Sequence, residues 1–251
     1  MTTSNAQPVE QKVALVTGGS RGIGAAIVER LAKDGFTVIV NYARSADEAD
    51  ELVRKIEQAG GRAISAQADV SDAVSVRKMF DSAEQAFGGI DVLVNNAGIM
   101  TLSTIADTDD ETFDRLIDTN LKGTFNTLRE AAKRLRNGGR VINFSTSVVG
   151  LYQPTYGVYA ATKAAVEAMS RVLTKELRGR NITVNVVAPG PTATELFLNG
   201  KSQQLIENIT KLAPLERLGQ PEDIAASVAF LAGPDGAWVN GQTLRVNGGI
   251  I

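Results

Sequence analysis

The sequence predicts an α/β fold in which one doubly wound parallel sheet of about seven strands carries helices on both faces. Two observations carry that expectation. Short β-branched runs alternate with longer segments of helical period along the whole chain. Several of the runs, such as Val38-Ile39-Val40 and Val92-Leu93-Val94, are continuously apolar, which suits strands covered on both faces. Strict alternation makes the strands parallel and the crossovers right-handed.

Taken in order, Val13–Thr17 is the first strand, and Gly22–Lys33 has helical period up to Gly35. Thr37–Asn41 is the second strand, followed by a helical segment Asp47–Ala59 that stops at Gly60. Arg62–Ala66 and the helix Ser71–Phe87, with Gly88 behind it, form the third pair. Ile90–Asn95 leads to a long helical pattern, Asp110–Leu135, and then Gly138. Arg140–Phe144 leads to Val158–Arg178 and Gly179. Ile182–Ala188, the helix Pro221–Leu231 and the strand Thr243–Val246 complete the alternation. One interval breaks it. Gly190 to Pro214 holds helix-like patches at Glu195–Leu198 and Gln203–Lys211, between a strand end and the next clear helix. Ligands in open α/β sheets bind beyond the carboxyl ends of the strands, so residues 190–214 read as a substrate lid. Residues 1–10 read as a flexible tail ahead of a single domain, 11–251, with no linker or repeat dividing it.

Composition removes several function classes. Twenty-six basic and twenty-eight acidic residues leave a net charge of −2, against the basic excess that nucleic-acid or anionic-membrane binding needs. Arg129, Lys133, Arg134 and Arg136 cluster on one helical pattern and read as a solvated face or as salt-bridge partners. No segment approaches the ~18 uninterrupted apolar residues of a membrane span, and the first residues lack a signal-peptide pattern, so a cytoplasmic protein is expected. The absence of cysteine excludes disulfides and thiolate catalysis, and the absence of histidine excludes imidazole triads and shuttles. Acid–base chemistry therefore falls to carboxylates, Lys or Tyr, and no metal site is expected.

The first strand runs directly into Thr17-Gly18-Gly19-Ser20-Arg21-Gly22-Ile23-Gly24, and a helix follows. Glycines at 18, 22 and 24 keep side chains away from where a pyrophosphate approaches backbone N–H groups, and the helix N-terminus adds partial positive charge. Placement in the first βαβ unit points to dinucleotide binding through Gly18, Ser20, Arg21, Gly22, Ile23 and Gly24. An acidic residue closing the second strand would read the free 2′-hydroxyl of NAD. Asn41 stands there instead, followed by Tyr42-Ala43-Arg44, with Arg21 in the glycine loop. Two guanidinium groups without a carboxylate suit a 2′-phosphate, so the expected cofactor is NADPH/NADP.

Tyr159 and Lys163 lie four residues apart at the start of a long helical pattern, on one face, downstream of the hydroxyl cluster Ser145-Thr146-Ser147. A phenol of ordinary pKa ~10 serves as an acid–base group once a neighbouring ammonium stabilises its phenolate. Lys163 can supply that field, and a hydroxyl of the cluster can hold a substrate carbonyl while Tyr159 passes it a proton.

The chain resembles the short-chain dehydrogenases/reductases from about Lys12 to Gly249. The resemblance rests on the Gly-x-x-x-Gly-x-Gly loop, Asp69-Val70, Asn95-Asn96-Ala97-Gly98, Asn120-Leu121-Lys122-Gly123, Tyr159-x-x-x-Lys163, Pro189-Gly190 and Val246-Asn247-Gly248-Gly249. It implies a Rossmann-type fold in which Asp69 and Val70 flank the adenine, and Asn96, Ala97 and Gly98 line the cofactor. It further implies that Asn120 holds a water in a proton relay with Lys163, that Lys163 bonds the nicotinamide ribose, and that Thr192, after Pro189-Gly190, meets the carboxamide. Asn41-Tyr42-Ala43, Asn120 to Phe125 and Ala188 to Pro191 look most like 3-oxoacyl-[acyl-carrier-protein] reductases and polyhydroxynaphthalene-reductase-like members. In relatives the active-site Ser lies six residues after the Arg that opens the fifth strand and thirteen before the Tyr. Both counts reach Thr146 here, yet Ser147 opens the Ser-Val-Val-Gly string that usually follows that position. Either hydroxyl can serve, and the matching string favours Ser147, brought in by a local bulge.

These readings imply an oxidoreductase that reduces a small carbonyl substrate, 3-oxoacyl or another ketone, to a secondary alcohol. An NAD(P)-dependent alcohol or sugar dehydrogenase and a catalytically silent dinucleotide-binding sensor are the alternatives. The helical patterns Asp110–Leu135 and Val158–Arg178 are apolar on more than one side, and the resemblance implies a homotetramer built through them.

Overall fold

The computed structural model describes residues 11–251, and the expected tail at 1–10 lies outside the described residues. Strands β1 (Val13–Thr17), β2 (Thr37–Tyr42), β3 (Arg62–Gln67), β4 (Val92–Asn95), β5 (Arg140–Phe144), β6 (Thr183–Pro189) and β7 (Thr243–Val246) form one parallel sheet. Their order is β3-β2-β1-β4-β5-β6-β7. The order reverses beside β1, which pairs with β2 on one side and β4 on the other, so a crevice opens at the carboxyl ends of β1 and β4.

Alternating side chains of β1 feed two cores. Ala14 and Val16 pack with Ile27, Val28 and Leu31 of α1 (Gly22–Lys33), with Leu52 of α2 (Ala46–Gln58) and with Ile224 and Val228 of α10 (Pro221–Ala232). Val13 and Leu15 join the opposite core, with Phe80 of α3 (Ala73–Phe87), Leu128 of α5 (Gly123–Arg134) and Leu173 of α7 (Gly157–Glu176). These side chains are almost entirely buried, the Val, Leu, Ile and Phe among them each contributing on the order of 1.5–3 kcal/mol. Local signals set the helix ends. Asp72 accepts from the backbone N–H groups of Val74 and Ser75 to start α3, and left-handed Gly88 stops it. Gln220 and Asp223 form a capping box around Pro221 at the start of α10.

The long helix expected over Asp110–Leu135 is three pieces: α4 (Asp110–Leu116), a π turn at Ile117–Lys122, and α5. The inserted residue of a π turn leaves Asn120 fully buried. The excursion between β6 and α10 carries α8 (Glu195–Leu198) and α9 (Gln203–Thr210), capped by Thr194 and Ser202. A further short helix, α6 (Val148–Leu151), follows β5 directly. Two members of the basic cluster, Arg134 at the end of α5 and Arg136 just beyond it, are spent on internal ion pairs. Arg134 reaches Asp81, Glu84 and Glu130 at 2.7, 2.6 and 3.3 Å, and Arg136 reaches Asp91 at 3.0 Å.

Candidate active site

Gly18 and Gly22 take left-handed φ values of 59° and 55°, and a Cβ on Gly24 would stand 2.1 Å from the Gly18 carbonyl. Only glycine lets α1 begin so close to the loop. The N-cap residue Arg21 supplies no side-chain cap to α1, so its first N–H groups face the crevice without a side-chain acceptor. The loop is held from both sides. Asn96 Nδ2 donates to the Thr17 and Gly18 carbonyls at 3.0 and 2.9 Å, and the backbone N–H groups of Asn96 and Ala97 donate to Thr17 Oγ1. Asn41 Oδ1 accepts from Gly18 N, while its Nδ2 donates to the Ala66 and Ala68 carbonyls at 3.1 Å. Asn41 is thus buried and fully engaged with backbone, so it braces the loop rather than presenting a free amide. The outward groups at the end of β2 are those of Tyr42 and exposed Arg44. Asp69 Oδ1 accepts from the N–H and hydroxyl of Ser71, and Val70 is buried against Gly123.

Tyr159 and Lys163 occupy the first turns of α7. Lys163 is buried, donates to the Phe144 carbonyl at 3.0 Å, and lies 6.0 Å from the Tyr159 ring centroid. Thr146 hydrogen-bonds the Tyr159 hydroxyl. Burial pushes the Tyr159 phenol up to about 12, against the downward pull of that bond, and brings the Lys163 ammonium down to about 8. The phenol therefore holds its proton at neutral pH.

Geometry reverses the preference between the two hydroxyls. Ser147 is buried, donates to the Ala188 carbonyl at 3.3 Å and accepts from Asn247 Nδ2 at 3.0 Å. Its N–H donates to the Pro189 carbonyl, continuing the β5–β6 ladder without the bulge that would have brought Ser147 beside Tyr159. Thr146, the residue both counts reach, takes that place.

Asn120 accepts from Ile99 N at 2.8 Å and donates to Ile99 O at 2.9 Å, fixing the chain just beyond Gly98. A Cβ on Gly98 would meet Asn120 Oδ1 at 3.2 Å and Lys163 Nζ at 3.4 Å, which puts these three residues side by side. Thr192 is buried, with its hydroxyl donating to the Gly190 carbonyl.

The profile of the family described as Enoyl-(Acyl carrier protein) reductase matches residues 18–251. A short-chain type dehydrogenase/reductase of Picea abies is 48% identical over 248 residues, covering 95% of this chain and 92% of that protein. The chain belongs to the short-chain dehydrogenases/reductases. An NADPH-dependent aldehyde reductase-like protein, chloroplastic, of Arabidopsis thaliana is 45% identical to this dehydrogenase/reductase, covering 97% of this chain and 96% of that protein. Among solved structures, a short chain dehydrogenase from Burkholderia cenocepacia J2315 in complex with NADP superposes with a TM-score of 0.91 at 39% identity, covering 96% of this chain and 98% of that one.

In this dehydrogenase/reductase, Ile23, Asn96, Gly98, Thr146, Ser147, Tyr159, Lys163, Pro189, Gly190 and Thr192 line one cleft of about 540 Å³, whereas Arg21, Arg44 and Asp69 lie outside it. The cleft also takes residues that the sequence reading passed over. Tyr156 stands one helical turn before Tyr159, with ring centroids 6.3 Å apart, a spacing visible in the sequence. Behind the cleft and outside its lining, Glu167 accepts from the Ser145 hydroxyl at 2.7 Å and steadies the turn carrying Thr146, and Asn247 reaches that turn through Ser147. Leu205, Ile209 and Leu212 supply an apolar wall from the α9 region.

Proposed function

We propose that the chain is an NADPH-dependent reductase of a small carbonyl substrate, in which Thr146, Tyr159 and Lys163 are the catalytic set. The observation that carries this reading is the convergence of Thr146, Tyr159 and Lys163 on a cleft that reaches Ile23 of the glycine loop. The left-handed glycines, the uncapped start of α1 and the exposed Arg44 fit a dinucleotide phosphate, and no carboxylate closes β2 to repel a 2′-phosphate. NADPH, when bound, supplies the hydride that the carbonyl carbon receives. Thr146 and Tyr159 donate to the carbonyl oxygen, and Tyr159 gives up its proton as negative charge develops there. The Lys163 ammonium stabilises the resulting phenolate. Asn120, through Ile99, keeps Gly98 against Lys163, and the α8–α9 segment serves as the lid.

A panel of ketones, β-ketoesters and aldehydes, assayed with NADPH and with NADH, tests the reading; turnover with NADPH preferred is expected. Turnover by NADH alone would favour the alcohol or sugar dehydrogenase reading. Replacement of Arg44 by Ala is expected to weaken NADPH by roughly 1–3 kcal/mol, the worth of a charge-assisted hydrogen bond, and to leave NADH binding nearly unchanged. Titration of both nucleotides checks this, and equal losses would remove Arg44 from the 2′-phosphate site.

The Lys163 ammonium sets a pH dependence. It is charged below about 8, so kcat/KM for carbonyl reduction is expected to fall as pH rises through that value. Stability moves the other way. The folded value lies below the ordinary 10.5, so the unfolded chain binds more protons between about 8 and 10.5, and stability due to Lys163 rises across that window. Relative to Lys163→Met, the unaltered protein should gain about 3 kcal/mol from pH 8 to 10.5, at ~1.36 kcal/mol per pKa unit. Urea unfolding of both proteins at the two pH values measures the difference, and a constant gap would contradict the buried ammonium.

The homotetramer belongs to the same proposal. Phe113 on α4, Phe125 on α5 and Val172 on α7 are 46%, 46% and 58% exposed, apolar groups on the helices expected to mediate assembly. Sedimentation velocity should return a four-chain mass, and a monomer at micromolar concentration would contradict it. A cytoplasmic location is part of this reading, to be checked by fractionation of the native source; among the described residues no helix is long and apolar enough to cross a membrane.

A further inference from the structure

We propose that Lys201 is a specificity-determining anchor that selects carbonyl substrates bearing a second, carboxylate group. The inference rests on the carbonyl-reductase reading and names the substrate class of that same cleft. The cleft wall is apolar away from the reacting end, with Met100, Leu102, Leu151 and Phe197 among its residues, and no Asp or Glu lines it. Two ammonium groups line it. Lys163 is committed to Phe144 and to the tyrosine. Lys201 stands between α8 and α9, where its Nζ donates to the Phe197 carbonyl at 2.5 Å and lies 4.6 Å from the Phe197 ring centroid. No carboxylate pairs with it among the described residues. The two acids nearest in sequence are engaged elsewhere: Glu195 pairs with Arg21 of the glycine loop at 3.7 Å, and Glu207 accepts from Gln203 Nε2 at 3.3 Å.

An ammonium has three donors, and one carbonyl with one ring face leaves donor capacity unused. Partial burial lowers the Lys201 pKa, the direction expected of a cation that lacks a counter-ion. A carboxylate entering the cleft would complete this group through a charge-assisted bond while its carbonyl reaches Thr146 and Tyr159. The two polar ends would then orient an otherwise apolar substrate, since a few polar groups in an apolar cleft fix binding direction.

The test compares 4-formylbenzoate with methyl 4-formylbenzoate, as substrates of the NADPH-loaded protein and of its Lys201→Met and Lys201→Arg variants. The acid-over-ester ratio of kcat/KM should fall about 10- to 100-fold in Lys201→Met, the scale of one charge-assisted hydrogen bond, and recover in Lys201→Arg. Equal losses on acid and ester, or no loss on either, would overturn the anchor while leaving the reductase reading in place. Calorimetric titration of benzoate into the NADP-loaded proteins provides a readout independent of turnover. Benzoate binding that weakens in Lys201→Met supports the anchor even if neither aldehyde is reduced, a result that would count against the reductase reading alone. Benzoate binding that is unchanged by Lys201→Met, or that is absent from the unaltered protein, overturns the anchor.

Discussion

Tyr159→Phe is expected to lower kcat for carbonyl reduction by roughly 10²–10⁴, the usual contribution of a positioned general acid, while NADPH still binds. The substitution keeps the ring that stands 6.3 Å from Tyr156 and 6.0 Å from the Lys163 ammonium, and it removes only the hydroxyl. Lys163 keeps its bond to the Phe144 carbonyl, so the walls of the cleft should not move. Burial holds the phenol protonated in the resting protein, and no histidine in the chain could replace its proton. The result should therefore appear in kcat and not in nucleotide affinity, a split that steady-state kinetics and NADPH fluorescence titration resolve. Near-normal turnover by Tyr159→Phe would place the proton donor elsewhere.

The second large effect separates the two adjacent hydroxyls. Thr146→Val keeps a branched side chain and removes the group bonded to Tyr159, so kcat should fall by on the order of 10²–10³ with little change in stability. Ser147→Ala should do the opposite. Its hydroxyl joins the Ala188 carbonyl to Asn247, and losing it leaves buried polar groups short of a partner, at about 1–3 kcal/mol of stability. Turnover and Tm of the two variants, measured side by side, give the comparison. A collapse of kcat in Ser147→Ala with a mild effect of Thr146→Val would restore the serine to the site.

The contrast shows where sequence reasoning reached and where it stopped. The strand–glycine loop–helix unit is legible because its constraints are local: left-handed φ at Gly18 and Gly22 and the lack of space at Gly24 are written into the residues themselves. The sheet is legible for a similar reason, since apolar runs and helical segments alternate along the chain except between β6 and α10. The choice between Thr146 and Ser147 is not local. It depends on how the end of β5 pairs with β6 and on Asn247, a hundred residues downstream, which claims the serine. Asn41 was legible only in part: its position at the end of β2 was readable, whereas its engagement by the backbone of two other segments was not. The π turn hid inside a continuous helical period, because the burial of Asn120 against Ile99 decides it. The helices at 190–214 could be read from their patches, but which of their side chains face the cleft could not.

The measurement that bears most directly on the account is the stoichiometry of product, in which the unaltered protein, NADPH and a ketone that it accepts are followed until the nucleotide is consumed. One secondary alcohol formed per NADPH consumed is the predicted result. Tight NADPH binding with no alcohol formed from any ketone, β-ketoester or aldehyde would contradict it, and would leave a dinucleotide-binding sensor as the function of this fold.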